Sequence, residues 1–169
     1  MSRYRPPSAP KSAYITKEGS DILLTELKYL WKEKRPQVTD TVREAAAQGD
    51  RSENAEYIYG KKQLREIDRR VRYLEKRLAA CTVVERVPND RSKVFFGAWI
   101  TLEDEQGTKK RYRIVGPDEL DHHPGYISID SPVARALLKK EEGEEVLIRV
   151  EGKEKMYFLD AIEYVEVIG

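Results

Sequence analysis

The fold is decided by residues 64–78, which read LREIDRRVRYLEKRL. The apolar side chains in this stretch recur at steps of three, four, three and four residues, namely Leu64, Ile67, Val71, Leu74 and Leu78. This spacing aligns them along one face of an α-helix and is the heptad pattern of a coiled coil. The stretch therefore predicts a long amphipathic helix that packs against a second helix.

The segment before it supplies that second helix. Apolar side chains recur at helical spacing through residues 16–47, and either Thr16 or Ser20 can cap the start. Pro36 lies inside this segment and lacks a backbone N–H, so it should kink or split the helix there. We predict one interrupted helix from about Thr16 to Ala47. Two helices joined by a turn as short as residues 48–53 must run antiparallel. We predict a helical hairpin over residues 14–86 with this turn at its far end.

The turn carries its own signals for where the helices end and begin. Gly49 stands where a helix C-terminal glycine is expected, and Asp50 or Ser52 can cap the second helix. Pro6, Pro7 and Pro10 make residues 1–13 a predicted disordered tail.

The second half of the chain changes to the period of β-strands. Ser131-Pro132 has the composition of a helix start and predicts a short helix over residues 134–140. Turns are predicted at residues 103–107 and at Glu151-Gly152. We expect an α+β domain over residues 91–169, with one short helix and a mainly antiparallel sheet. Its predicted strands are 93–102, 109–115, 126–129, 145–150 and 156–165.

Composition excludes several classes of protein. The 31 basic and 30 acidic residues give a net charge of +1, so only a local patch could attract nucleic acid. Cys81 is the single cysteine, which rules out an intrachain disulfide and a thiolate zinc cluster. No apolar run approaches the roughly 20 residues of a membrane span, and no secretory signal opens the chain. We therefore expect a cytoplasmic protein with no membrane partner.

Two carboxylates lie in the predicted turn, where residues 49–57 read GDRSENAEY. Asp50 and Glu53 are three residues apart, a pattern that also forms a helix capping box. The alternative is coordination of Mg²⁺, which prefers carboxylate oxygens and needs about six ligands. Two acids on an exposed turn supply only part of such a shell. If the turn binds metal, a partner must complete the site, and the chain should not catalyse alone.

A row of basic residues follows on the second helix. Residues 54–77 hold eight basic and four acidic side chains, a local charge of +4. A cationic row of this kind suits a phosphate backbone. The alternative is a solvated helix face with i,i+4 ion pairs such as Glu66 with Arg70. The row consists of Lys61, Arg65, Arg69, Arg72 and Lys76, with Lys62, Arg70 and Arg77 beside it.

These residues resemble a known family. The motif at 49–57 is similar to the tip motif of the Gre transcript-cleavage factors, Gly-Asp-x-x-Glu-Asn-Ala-(Asp/Glu)-Tyr. Residues 61–78, 93–99, 111–116 and 126–143 resemble further stretches of the same family in the same order. The similarity extends from about Tyr14 to the C-terminus. Arg51 and the dense basic helix favour the GreB branch.

The resemblance implies a fold and a mechanism. Gre factors join an N-terminal antiparallel coiled coil to a C-terminal domain of FKBP-like fold. That domain docks on the rim of the secondary channel of bacterial RNA polymerase, and the coiled coil of the monomeric factor enters the channel. When the polymerase has backtracked, the factor stimulates the polymerase's own cleavage of the RNA 3′ end. The factor is then not itself the enzyme.

The family's functional residues carry over by position. Asp50 and Glu53 match the acids that help to retain a Mg²⁺ shared with the polymerase, and Ser52, Asn54 and Tyr57 belong to the same motif as tip-shaping or RNA-contacting residues. The side chains expected to bind the extruded RNA 3′ end are Lys61, Lys62, Arg65 and Arg69. The residues that match the polymerase-docking loop are Asp130, Ser131 and Pro132.

Two other functions stay open at this stage. One is a relative that enters the same channel without stimulating cleavage, against which Asp50 and Glu53 argue. The other is a prolyl isomerase with a helical arm, since the implied fold includes such enzymes. Fold alone does not carry function.

Overall fold

The structure, a computed structural model, describes residues 8–49 and 54–165. The chain divides by its contacts into two units, which are described separately below. Residues 20–81 form one unit, and residues 8–19 together with 82–165 form the other. The limits expected from sequence for the tail and the two domains stay a prediction.

The helical unit contains most of one long helical segment and all of a second. The segment comprises α1 (Lys17–Tyr29), a π-helical turn (Leu30–Lys34) and α2 (Arg35–Ala47). It is followed by α3 (Ala55–Ala80). The side chain of Thr16 accepts a hydrogen bond from Gly19 N at 3.0 Å, which confirms Thr16 as the cap of α1.

Pro36 does not split the first helical segment. The backbone stays in the right-handed helical region at Tyr29, Lys34 and Arg35. Arg35 N–H donates to Leu30 O, five residues back, so the turn before the proline is one residue wider than an α-helical turn. The irregularity is therefore confined to one wide turn, and Pro36 sits in the first turn of α2, where prolines are tolerated.

The two helical segments are antiparallel. Arg70 of α3 donates to Glu26 at 2.8 and 2.9 Å, and Arg35 Nε lies 2.7 Å from Asp68 Oδ1. Closer to the turn, the Asn54 side chain reaches Ala45 O at 2.6 Å. The predicted helical hairpin is thus confirmed. Its buried apolar side chains are Leu23, Leu30, Val38, Ala45, Ile67, Val71 and Leu74.

The second unit begins with a short parallel ladder that sequence analysis missed. Strand β1 (Tyr14–Thr16) pairs with β2 (Thr82–Val84), with Ile15 opposite Val83. Each strand has only three residues, too few for a period of two to be recognised. The ladder joins segments far apart in the sequence.

The main sheet has five strands in the order β5-β4-β3-β7-β6. The pairs β3–β4, β3–β7 and β6–β7 are antiparallel, and β4–β5 is parallel. One helix, α4 (Pro132–Leu137), packs on the sheet and contributes Ala134 and Leu137 to the core. This confirms the expected α+β domain. The strands are β3 (Trp99–Glu103), β4 (Lys109–Val115), β5 (Tyr126–Ser128), β6 (Glu145–Val150) and β7 (Lys153–Glu163).

The first predicted strand of this domain starts too early. Residues 93–98 are not part of β3, although Val94 and Ala98 are buried in the core. Gly97 has a φ of +87°, which is incompatible with a continuous strand. Tyr164 instead binds this segment, since its hydroxyl donates to Lys93 O and accepts from Phe95 N at 2.5 and 2.9 Å. The strand-like pattern of apolar residues over 93–102 therefore covers a buried loop as well as β3.

Candidate functional site

Among the described residues, the Asn54 side chain links the two ends of the hairpin turn. Asn54 precedes α3, and its Oδ1 accepts from Tyr57 N at 3.2 Å while its Nδ2 donates to Ala45 O at 2.6 Å. Asn54 is therefore the N-cap of α3 and also ties the start of α3 to α2. The prediction of Asp50 or Ser52 as that cap is wrong, because the helix begins later than expected.

Asp50, Ser52 and Glu53 lie outside the described residues, so their placement as site residues stays a prediction. The position of the cap still tests one of the two interpretations of the acids, the capping box. Asp50 and Glu53 both precede Asn54, so they cannot be the N-cap and third residue of a capping box on α3.

Gly49 is the second conformational constraint on the turn. Helix α2 ends at Ala47 with Gln48 as its C-cap, which makes Gly49 the first residue beyond it. Its φ is +152°, a conformation that side chains other than glycine rarely adopt. The prediction of a C-terminal glycine at this position is confirmed.

Six of the eight basic residues of α3 share a face that contains no acid. Counting about 100° per residue from buried Gly60, the buried Ile67, Val71 and Leu74 fall within about 40° of it. Six bases fall between about 100° and 200°, on the opposite side of the helix. None of the four acids of α3 falls in that arc. We call this the basic face; its members are Lys61, Lys62, Arg65, Arg69, Arg72 and Lys76.

These side chains are exposed and largely uncompensated. The four expected to bind RNA form no ion pair with any residue in the described ranges. The i,i+4 pairing of Glu66 with Arg70 is not found, because Arg70 pairs across the hairpin with Glu26. The basic face spans about 22 Å from Lys61 to Lys76 at 1.5 Å per residue. Such an array can follow several phosphates of a single strand.

The expected docking loop contains two side chains that also hold the fold. Asp130 accepts from the backbone N of Ser12 at 2.9 Å and from the Ser12 hydroxyl. Ser131 caps α4 by accepting from Ala134 N at 3.2 Å. Pro132 is the first residue of α4 and is exposed. The loop therefore presents Pro132 on a framework that Asp130 and Ser131 hold in place.

A buried carboxylate, absent from the sequence predictions, fixes the start of α1. Glu119 is fully buried and accepts from Thr16 N at 3.0 Å, from Gly116 N at 2.8 Å and from the Thr16 hydroxyl. A Cβ at Gly19 would lie 2.1 Å from Glu119 Oε1, so this position requires glycine. A lone Glu between Asp118 and Leu120 carries no periodic signal that would reveal this contact.

Within the described ranges, no helix has the length and hydropathy needed to cross a membrane. No group of three histidine, cysteine, aspartate or glutamate side chains that could hold a metal occurs in the same ranges.

Comparison with known proteins identifies relatives for both halves of the chain. Residues 13–83 match the family model "Transcription elongation factor, N-terminal", and residues 88–164 match "Transcription elongation factor, GreA/GreB, C-term". GreB of Pseudomonas aeruginosa is 61% identical over 97% of this chain and 98% of that protein. GreB of Yersinia pestis is 56% identical over 91% of this chain and 90% of that protein.

Solved structures also show a likeness. Gfh1, a GreA factor homologue of Thermus thermophilus, is 23% identical, with 90% of this chain and 99% of that chain covered and a TM-score of 0.42.

The sequence matches define the class of protein as a transcription elongation factor. The chain belongs to the GreA/GreB family, as the resemblance at the hairpin turn predicted. Membership of this family implies that the protein interacts with RNA polymerase.

Proposed function

We propose that this protein rescues backtracked bacterial RNA polymerase by stimulating the polymerase's own cleavage of the RNA 3′ end. The acid-free basic face of α3 carries the proposal, because it can hold the extruded RNA along the hairpin. The hairpin enters through the secondary channel of the polymerase, and the protein acts in the cytoplasm as a monomer.

In this proposal the acids of the turn take part directly in the cleavage of the RNA. Two carboxylates are hard oxygen donors of the kind that Mg²⁺ prefers, so the donor set fits that ion. Asp50 and Glu53 would help to hold a Mg²⁺ that supplies metal-assisted hydrolysis of a phosphodiester, with the remaining ligands coming from the polymerase. Asn54 supports this role by capping α3 itself, which leaves both acids free of that task.

The basic face acts by charge rather than by base recognition. Its bases lie on the side of α3 opposite the buried residues, so RNA can bind without disturbing the helix packing. Neutralisation of phosphates releases counterions and gives affinity without sequence preference. A factor that must act on any transcript needs this kind of contact.

The loop of Asp130, Ser131 and Pro132 would dock on the rim of the channel. Pro132 is exposed, whereas Asp130 and Ser131 are half-buried. Pro132→Asp tests this role, because aspartate is tolerated in the first turn of a helix. We expect weaker polymerase binding without loss of stability, measured by competition binding and urea unfolding. Unchanged binding would remove Pro132 from the interface.

The decisive experiment separates chemistry from binding. Asp50→Asn and Glu53→Gln should abolish stimulated cleavage of labelled RNA in a backtracked complex, while affinity for the polymerase changes less than about twofold. Glu75→Gln is the matched control, since Glu75 is an exposed acid near the C-terminal end of α3 and lies outside the motif of the turn. The control variant should cleave like the unmodified protein.

Three outcomes would contradict the proposal. Unmodified protein that leaves the RNA uncut at saturating concentration would favour a non-cleaving channel regulator. Equal loss of binding and cleavage in the acid variants would make the acids contact residues. Efficient RNA hydrolysis by the protein with divalent ions and no polymerase would make it an enzyme in its own right.

A further inference from the structure

The outer face of the sheet, which points away from α4, carries an exposed apolar patch. Ile148 and Leu159 are buried in the core with α4, which identifies the inner face of β6 and β7. Side chains alternate along a strand, so Leu147, Met156 and Phe158 project from the opposite face. They are 52%, 36% and 40% exposed, although all three are large and apolar. We call these three residues the outer patch.

The register of the strands makes the outer patch continuous. Leu147 is the direct cross-strand partner of Met156, and Phe158 lies diagonally beside Leu147 on the same face. Isolated exposed apolar residues need no explanation, whereas contiguous ones with a polar rim are the pattern of an interaction site. The rim therefore indicates what kind of partner the patch fits.

Carboxylates border Phe158 on both sides. Glu103 of β3 and Glu145 of β6 are its direct cross-strand partners. Asp104 and Glu105 follow Glu103 in the β3–β4 turn and line the same hollow, which has a volume of about 130 Å³. None of the described residues that line this hollow is basic. The lining residues are Glu103, Asp104, Glu105, Glu145, Met156, Tyr157 and Phe158.

The bases near the outer patch offset only part of this charge. Lys109, opposite Glu103 on β4, pairs with Asp160 at 3.1 Å. Glu105 and Glu145 form no ion pair with any residue in the described ranges. Uncompensated negative charge therefore remains on two sides of the patch.

Two further bases lie nearby without neutralising this rim. Arg149 pairs with Glu154, one row further along the strands. Lys155 borders a second hollow beside Met156, but it is the direct partner of buried Ile148 and so projects from the inner face. The outer patch thus keeps an acidic border.

The chemistry of the patch selects its occupant. Carboxylates repel phosphate groups, which argues against nucleic acid and anionic lipid. A second copy of the chain in a two-fold contact would place the same acids against one another. Pockets for drug-sized molecules hold about 300–1,000 Å³, so the hollow is small for a metabolite and suits one apolar side chain.

We propose that the outer patch binds a segment of a partner protein in which a large apolar residue is flanked by lysine or arginine. The apolar side chain would lie against Met156 and Phe158, and the basic side chains would pair with Glu105 and Glu145. This inference does not depend on the turn acids or on transcript cleavage.

The test is a titration of the full ¹⁵N-labelled chain followed by NMR. The probe is acetyl-Lys-Lys-Phe-Lys-Lys-amide. Saturable shifts should appear at Glu145, Leu147, Met156 and Phe158. Replacement of Phe by Ala in the probe should weaken binding at least roughly fivefold, because apolar burial is lost. Acetyl-Glu-Glu-Phe-Glu-Glu-amide should bind at least roughly tenfold more weakly, because like charges then meet.

Charge variants distinguish this site from general attraction of a basic peptide. The double variant Glu105→Lys with Glu145→Lys should weaken binding of the basic probe roughly tenfold, since two partly screened ion pairs become repulsive. Glu33→Lys with Glu75→Lys is the control, because both are exposed acids of the helical unit and make the same charge change. The control should leave the affinity unchanged.

Apolar variants test the floor of the site separately from its rim. Leu147→Thr with Phe158→Thr should weaken binding of the basic probe at least roughly fivefold, because apolar contact area is lost. Threonine is well tolerated in strands and both side chains are exposed, so urea unfolding should show a retained fold. Unchanged binding by this variant would exclude the apolar residues from the site.

Several other results would overturn the inference. These are no saturable shifts, shifts located elsewhere in the chain, equal binding of the two charged probes, or equal loss in both charge variants. Spermidine that binds as tightly as the peptide would overturn the assignment to a protein segment and indicate a small cation. Shifts at the outer patch that depend on the concentration of the chain alone would indicate a second copy as the occupant.

Discussion

Neutralisation of part of the basic face gives a quantitative test of RNA binding. The perturbation is the triple variant Lys61→Gln, Arg65→Gln, Arg69→Gln. All three side chains are exposed, and glutamine has nearly the helix propensity of lysine and arginine, so α3 should keep its stability. The three positions extend over about 12 Å of helix at 1.5 Å per residue.

The expected magnitude follows from counterion release. Each base that neutralises a phosphate of a single strand adds about 0.7 to the slope of log affinity against log salt. None of the three is paired with an acid in the described ranges, so each should contribute in full. The triple variant should lower the slope by about 2. Between about 50 and 200 mM salt, the ratio of the RNA affinity of the unmodified protein to that of the triple variant should then fall roughly 16-fold.

The assay compares two backtracked complexes that differ in the length of extruded RNA. Competition binding over a salt series should give the reduced slope for the complex with long RNA, and little change for the one with short RNA. The matched control is Lys28→Gln, Lys32→Gln, Arg43→Gln, three exposed bases off the basic face. An unchanged slope for the test variant on long RNA, or an equal change in the control, would refute the role of the basic face.

Three further predictions concern residues that stabilise one or the other unit from within. Glu119→Ala should leave two buried backbone N–H groups unpaired and lower the free energy of unfolding by about 2–6 kcal/mol in urea titrations, whereas Glu119→Gln can still accept both and should lose much less; equal losses would mean that the amide contacts are unimportant. Asn54→Ala should destabilise the hairpin by about 1–2 kcal/mol in thermal unfolding, and Asn54→Asp should recover most of this by restoring the cap; no recovery would assign the effect to the contact with Ala45 O. The hydrogen bond from Arg35 lowers the pKa of Asp68 in the folded protein. The ion pair therefore stabilises the folded state fully above the unfolded pKa of about 3.9, and this stabilisation is lost as pH falls through the lower pKa of the folded protein. Because both side chains are about one-third exposed, the contribution should stay below about 1 kcal/mol, and the difference in unfolding free energy between the unmodified protein and Asp68→Asn should vanish below that window; a difference that persists there would exclude the ion pair as its cause.

Sequence by itself determined the features that depend on local periodicity. The heptad spacing of 64–78 is a property of the chain, and it predicted α3 and the antiparallel hairpin because an apolar stripe must be covered. The same helical period placed the basic side chains on one face. The β6–β7 turn was also local, since Glu151 and Gly152 both have positive φ, as a two-residue hairpin turn requires.

The motif in the turn predicted the family, but the sequence pattern alone could not decide between two roles for the acids of the turn. Asp50 and Glu53 fit a capping box as well as a metal-binding tip. The cap at Asn54 excludes the capping box on α3, whereas metal binding by the two acids stays a prediction, and that cap depends on where the helix begins in three dimensions. Helix ends depend on competing hydrogen bonds, so they are the least predictable part of an element.

Only the tertiary structure decided contacts between residues far apart in the chain. Glu119 meets Thr16 across 103 positions, and Arg70 pairs with Glu26 instead of its helical neighbour Glu66. Such features depend on which groups the complete fold brings within a few ångströms of one another, and a linear pattern carries no record of that distance.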